Sequence, residues 1–223
     1  MDTSQWLLLQ LADGSFPSGA FAHSAGLEAA MVLGGLEDGS GGERDPLEGF
    51  LDASLRQVGA SALPFVRAAT LEPCRLGELD ELCDATLSLQ APNRASRAQG
   101  RALASAARRV WDTLGPVAEH VARGPAHHAP VFGAIFGTLG LSSDDTLAAY
   151  LHGSARALLS AAVRLGLAGP LEAQRMLAER ASLLQAIHAR ARERRPEDAA
   201  MTAPRIELFA ALHDHLDGRM FQS

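Results

Sequence analysis

The sequence predicts an all-α fold, a single helical bundle followed by a C-terminal arm. Three observations carry this prediction. Helix start and stop signals recur along the chain, while the two-residue alternation of Val, Ile and aromatic residues that marks a half-buried strand is scarce. Apolar residues make up 47% and are spread evenly, the composition of a globular protein. Finally, 223 residues without an internal repeat or a second apolar block suffice for one core. The expected division is a helical domain over 1–195 and a linker with an arm over 196–223.

The elements follow from their punctuation. An apolar opening turn spans Trp6 to Leu11, and "DGSFPSG" breaks the chain after it. Ser18 can cap a helix running to Met31 and Val32, which Gly34-Gly35 ends. "GGLEDGSGGERD" reads as a flexible polar loop. Asp45-Pro46-Leu47-Glu48 then has the form of a capping box, with Leu47, Leu51, Leu55 and Val58 on one face. Pro64 should interrupt this element, since its ring and missing N–H cost about 3 kcal/mol inside a helix. Leucines at helical spacing fill 76–89, and Asn93 is placed to cap a long helix carrying Leu103, Ala107, Val110 and Leu114, closed by Gly115-Pro116. After "HHAP" comes an apolar helix, Val131 to Leu139, with Gly140 past its end. Ser143, followed by Asp144 and Asp145 against the helix dipole, opens a helix through Tyr150, Leu151, Leu158 and Val163. Pro170 opens another, which ends in the cations of "RARERRP". Beyond the linker 196–203, Phe209, Leu212 and Leu216 form the apolar face of the arm.

Composition removes whole classes of function. A net charge of -6 argues against sequence-independent binding of nucleic acid or an anionic membrane. All 20 basic residues are Arg, so neither the phosphate-gripping Lys of a P-loop nor a Schiff-base amine exists. Cys74 and Cys83 alone make no disulfide framework, which fits a reducing cytoplasm. The opening residues lack a basic leader segment, and no apolar stretch is long enough to span a membrane.

The candidate chemistry is sparse. His23-Ser24, with Glu28 behind, invites a hydrolase reading, but helical neighbours point about 100° apart, and no strand-to-helix elbow precedes the serine. None of the eight His forms an i, i+4 ligand pair; His127-His128 are adjacent and His213 and His215 two apart, so no metal site is assigned. Arg94, Arg97, Arg101 and Arg108 stripe one helical face, and Arg190, Arg192, Arg194 and Arg195 crowd a helix end. Both read as solvated or dipole-matched cations. The arm carries Met220 and Phe221 near its end, apolar residues that call for a groove, either on this chain or on a partner.

Three stretches together resemble the UreF family. "LLQLADGSFPSGAFAHSAGLE" (8–28) is similar to its N-terminal signature. "SRAQGRAL", "HHAPVFGAIFGTLGL" and "AAYLHGSARALLSAAVRLG" are similar to its middle and second half in order and spacing, and "HDHLDGRMFQS" to its ending. "GPLEAQ" (169–174) departs from the Gly-Gln-Thr-x-Gly-Gln of many bacterial members, and Leu216, Asp217 and Gly218 replace a common Tyr and Ser. The resemblance implies an all-helical, dimerising, non-enzymatic chaperone without a cofactor. Such a chaperone would bridge UreD (also called UreH) and the GTPase UreG to insert nickel into apo-urease. It further implies partner-binding roles for Pro17, Gly19, Phe21, His23, Ser24, Gly26 and Glu28, and for His213, Arg219, Met220 and Phe221. A helical hydrolase using Ser24 and His23, or a direct nickel carrier, are the alternatives.

Overall fold

Residues 129–136, Ala-Pro-Val-Phe-Gly-Ala-Ile-Phe, are all buried, and a helix apolar on every side belongs inside the protein. In the computed structural model, which describes residues 3–17, 19, 22–36 and 45–222, they form the central helix, and no β-strand occurs among the described residues. In chain order the helices are α1 Thr3–Ala12, α2 Leu27–Val32, α3 Pro46–Ser61, α4 Leu63–Leu71, α5 Leu76–Thr86, α6 Gln90–Arg108, α7 Gly115–Arg123, α8 His128–Thr138, α9 Ser143–Arg164, α10 Pro170–Glu179, α11 Ala181–Ala191 and α12 Pro204–Leu212. α8 packs between α4, α6 and α9, with α3 and α11 on the far side of α9 and α12 across α2. Among the described residues, no helix is long and apolar enough to cross a membrane.

The α4–α8 contact is close because of two glycines. A methyl group at Gly133 would lie 2.3 Å from the Val66 carbonyl oxygen, and one at Gly137 would lie 2.2 Å from that of Thr70. Side chains there are replaced by backbone-to-backbone packing at the density of a protein interior.

Several boundaries match the punctuation. Asp45 caps α3 through the Leu47 N–H at 2.9 Å, with Pro46 at the first helical position. The Glu48 carboxylate meets the buried Arg180 at 2.8 Å. Pro64 lies in the first turn of α4, so the break falls at Ala62.

Other expectations are corrected. Ser18 lies outside the described residues, as does most of the polar loop, residues 37–44; the helix that Ser18 was expected to open starts only at Leu27. Asn93 sits inside α6, donating to Asp84 at 2.8 Å and to the Leu87 carbonyl at 3.1 Å, and Leu89 takes the cap position. α6 ends at Arg108, and Gly115-Pro116 open α7 rather than close a helix, since proline suits a first turn as well as a stop. Ser142, not Ser143, caps α9, its hydroxyl accepting from the Asp145 N–H at 3.1 Å. The helix from Pro170 is divided at Arg180, which is turned inward onto Glu48 and Asp52.

The loop entering α8 accounts for the paired histidines. Asp80, fully buried, accepts from the backbone N–H groups of Ala126 and His127, both at 2.7 Å, and bonds His120 Nε2 at 2.6 Å. The His127 ring spans Asp84 at 2.9 Å and Ser96 at 3.1 Å. Every charge of this network is matched by hydrogen bonds, the condition for burying it.

Candidate protein-docking site

The segment that leads into α2 is irregular. Ala25 (φ 52°) and Gly26 (φ 84°) are both left-handed, and Gly26 stands immediately before the first helical residue. A methyl group on Gly26 would lie 2.9 Å from the Ala210 backbone nitrogen and 3.2 Å from the Ile206 carbonyl oxygen, both in α12. Glycine is needed here twice over, for its φ and for the passage of α12. The reversal sends Glu28 inward, where it is 5% exposed.

Glu28 meets the other end of the chain. One carboxylate oxygen accepts from the Met220 N–H at 2.6 Å; the second takes His213 Nε2 at 2.8 Å and the Phe221 N–H at 3.1 Å. The Gln222 N–H donates to the Ala22 carbonyl at 2.8 Å. Since a carboxylate can only accept, His213 must carry its proton on Nε2, leaving a buried Nδ1 with no partner among the described residues. Burial works to raise the Glu28 pKa. The Met220 N–H, the His213 ring and the Phe221 N–H outweigh it and hold the carboxyl below the ordinary glutamate value.

Around this clamp the arm is held by residues that the sequence did not single out for it. The guanidinium of Arg164 lies 4.2 Å from the centre of the Phe221 ring, a cation–π contact. Asp214 accepts from Arg94 at 2.7 and 2.8 Å and from Arg219 at 3.1 Å, and these cations draw its pKa down against the effect of burial. Gln57 accepts from the Thr202 and Ala203 N–H groups at 2.8 and 2.6 Å and donates to Glu207 at 2.7 Å. Nothing in the sequence near Gln57 or Arg164 announces these tasks; Arg94 at least belonged to the noted stripe. Arg97 and Arg101 are also used within the chain, on the carbonyls of Pro125 and Gly124.

The residues singled out by the sequence therefore divide. Ser24, Gly26, Glu28, His213 and Phe221 are buried, whereas Pro17, Gly19, Arg219 and Met220 are exposed; Phe21 lies outside the described residues. The Ser24 hydroxyl is buried against the first turn of α2, 3.5 Å from the Glu28 N–H. His23 is half-buried. Burial, and then the nearby His213 ring, pushes its pKa down, and His128 is pushed down to about 4 by burial and by His23, so both rings are neutral at neutral pH. Among the described residues, no three His, Cys, Asp or Glu side chains are gathered as a metal would require.

Comparison with known proteins places this architecture in a class. Across 98% of its length the chain is 33% identical to the Urease accessory protein F of Oryza sativa subsp. indica, covering 85% of that protein, and 33% identical to that of Arabidopsis thaliana, covering 92%. It is 30% identical to the Urease accessory protein UreF of Mycobacterium sp. (strain JLS) over 99% of its length and 100% of the relative's. A model of the UreF family matches residues 43–181. These relatives are urease accessory proteins, matched along nearly the whole chain. The chain belongs to the UreF family.

Proposed function

We propose that this chain is a non-catalytic adaptor of urease maturation. It works in the cytoplasm as a homodimer, bridging UreD (UreH) and the GTPase UreG for GTP-dependent nickel insertion into apo-urease. The observation that carries the reading is the Glu28 clamp: a buried carboxylate near the start of the chain seats its last residues and leaves Arg219 and Met220 outside. Such a seat orders the arm before any encounter, so its ordering entropy is not charged to binding. In this reading residues 196–223 act as a docking arm. The buried members of the two motifs hold it, and Pro17, Gly19, Arg219 and Met220 make the contact.

Met220, at 54% exposure, is the apolar centre of that surface, and Arg219 supplies the polar fork beside it. Co-purification with UreD and UreG tests the proposal. Met220→Glu should abolish capture of UreD while leaving the helical circular dichroism and the melting temperature of the free protein unchanged. Undiminished capture by both Met220→Glu and Arg219→Glu would show that the arm is not the docking surface.

A further inference from the structure

The arginines crowded at the end of α11 sort themselves by partner. Arg192 pairs with Asp144 at 2.8 Å, and Arg195 lies 3.6 Å from Asp198. Arg190, in the last turn of α11, and Arg194, beyond its end, line a different surface. They face Arg56 of α3 across a half-open groove of about 350 Å³. Arg194 makes one long contact to the Ala60 carbonyl, 3.4 Å, while Arg56 and Arg190 have no ion pair or side-chain hydrogen bond among the described residues. No Asp or Glu is among the described residues that line the groove. In a chain of net charge -6 with 26 acidic residues, three arginines lining one groove with no carboxylate among its described lining residues is a local reversal of sign.

We propose that this groove receives an acidic segment of a partner protein, with Asp or Glu carboxylates entering between Arg56, Arg190 and Arg194. Arginine forks match carboxylate and phosphate alike, and two features favour carboxylates. The backbone N–H groups of Thr202 and Ala203, which line the groove, are already taken by Gln57 and are not free to cradle a phosphate. And α11 presents its C-terminal half, whose dipole disfavours a dense anion. With no aromatic ring among the described lining residues there is nothing on which a nucleobase would stack, while the small Gly59, Ala60 and Ala203 admit a peptide backbone.

Fluorescence anisotropy of a fluorescein-labelled hexaglutamate peptide with the full chain at low salt provides the test. Saturable binding is expected, absent with hexaglutamine. It should weaken about 1.4- to five-fold for each of Arg56→Gln, Arg190→Gln and Arg194→Gln, the range measured for exposed ion pairs. Arg194→Lys, which keeps the charge but loses the fork, should weaken binding less than Arg194→Gln. Arg175→Gln, on α10 and paired with Glu172 and Glu179, should change nothing. Arg56 has no partner among the described residues to lose, so its variant should keep the fold, which the melting temperature verifies. Binding that ignored all three substitutions would overturn the proposal. Displacement of the peptide by inorganic pyrophosphate at concentrations well below the peptide's own Kd would equally overturn it, in favour of a small-oxyanion site.

Discussion

Replacing Glu28 by Gln keeps the volume of the side chain but removes half of its acceptors. In the protein, one oxygen serves Met220 and the other serves both His213 and Phe221. An amide has one carbonyl oxygen and one donor NH₂ group, so in either orientation the NH₂ opposes at least one N–H at hydrogen-bond distance. Each buried donor left unsatisfied costs about 1–3 kcal/mol, and loss of the charge weakens the bond that remains. The total is about 2–4 kcal/mol against the seated arm. Peeling of residues 213–222 into water sets a ceiling on this figure, because the free arm satisfies its own N–H groups there. Amide hydrogen exchange at neutral pH reads the effect directly. A loss of 2 kcal/mol corresponds to about 30-fold faster exchange at Met220 and Phe221, whereas amides of α8 should be unaffected. Unchanged protection at both positions in Glu28→Gln would refute the clamp as the device that holds the arm.

Further outcomes follow from the same geometry. The depressed pKa of Glu28 means that its stabilisation is fully present above the ordinary glutamate value of about 4.5 and is lost as pH falls through the lower folded value. Exchange at Met220 and Phe221 should therefore show an opening equilibrium that rises as pH falls below about 4.5, a contribution that Glu28→Gln removes. Gly26→Ala must hold a left-handed φ and meet the α12 backbone at 2.9 Å, costing about 1–3 kcal/mol, visible as loss of arm protection. Gly137→Ala forces α8 away from the Thr70 carbonyl and should lower global stability in urea by about 1–3 kcal/mol, with the arm still seated in the folded fraction.

How much of this was legible beforehand depends on the range of the interaction that decides each feature. The helical class, the Asp45 cap and the Pro64 break are determined within a few residues, and the sequence showed them. Where a local signal had two readings, tertiary packing chose. Gly115-Pro116 could end a helix or begin one, and Arg180 broke an otherwise continuous helical pattern because Glu48 and Asp52 draw it inward. Asn93 resembles a cap, yet Asp84, brought near by the turn between α5 and α6, takes its amide. The site was visible as two motifs 185 residues apart at Glu28 and His213, but not as one object. No periodicity relates such distant positions; only the fold of α2 against α12 joins them. Arg164 over Phe221 and Gln57 beneath 202–203 are likewise products of packing.

The two glycines of α8 have a consequence for how the molecule can move. At Gly133 and Gly137 main chain rests on the main chain of α4, so at these two points no flexible side chain lies between the helices to absorb a slide or a twist. A relative shift of α4 and α8 must therefore break close backbone packing at two points, whereas the C-terminal arm is held by a few hydrogen bonds that can be exchanged without disturbing that contact.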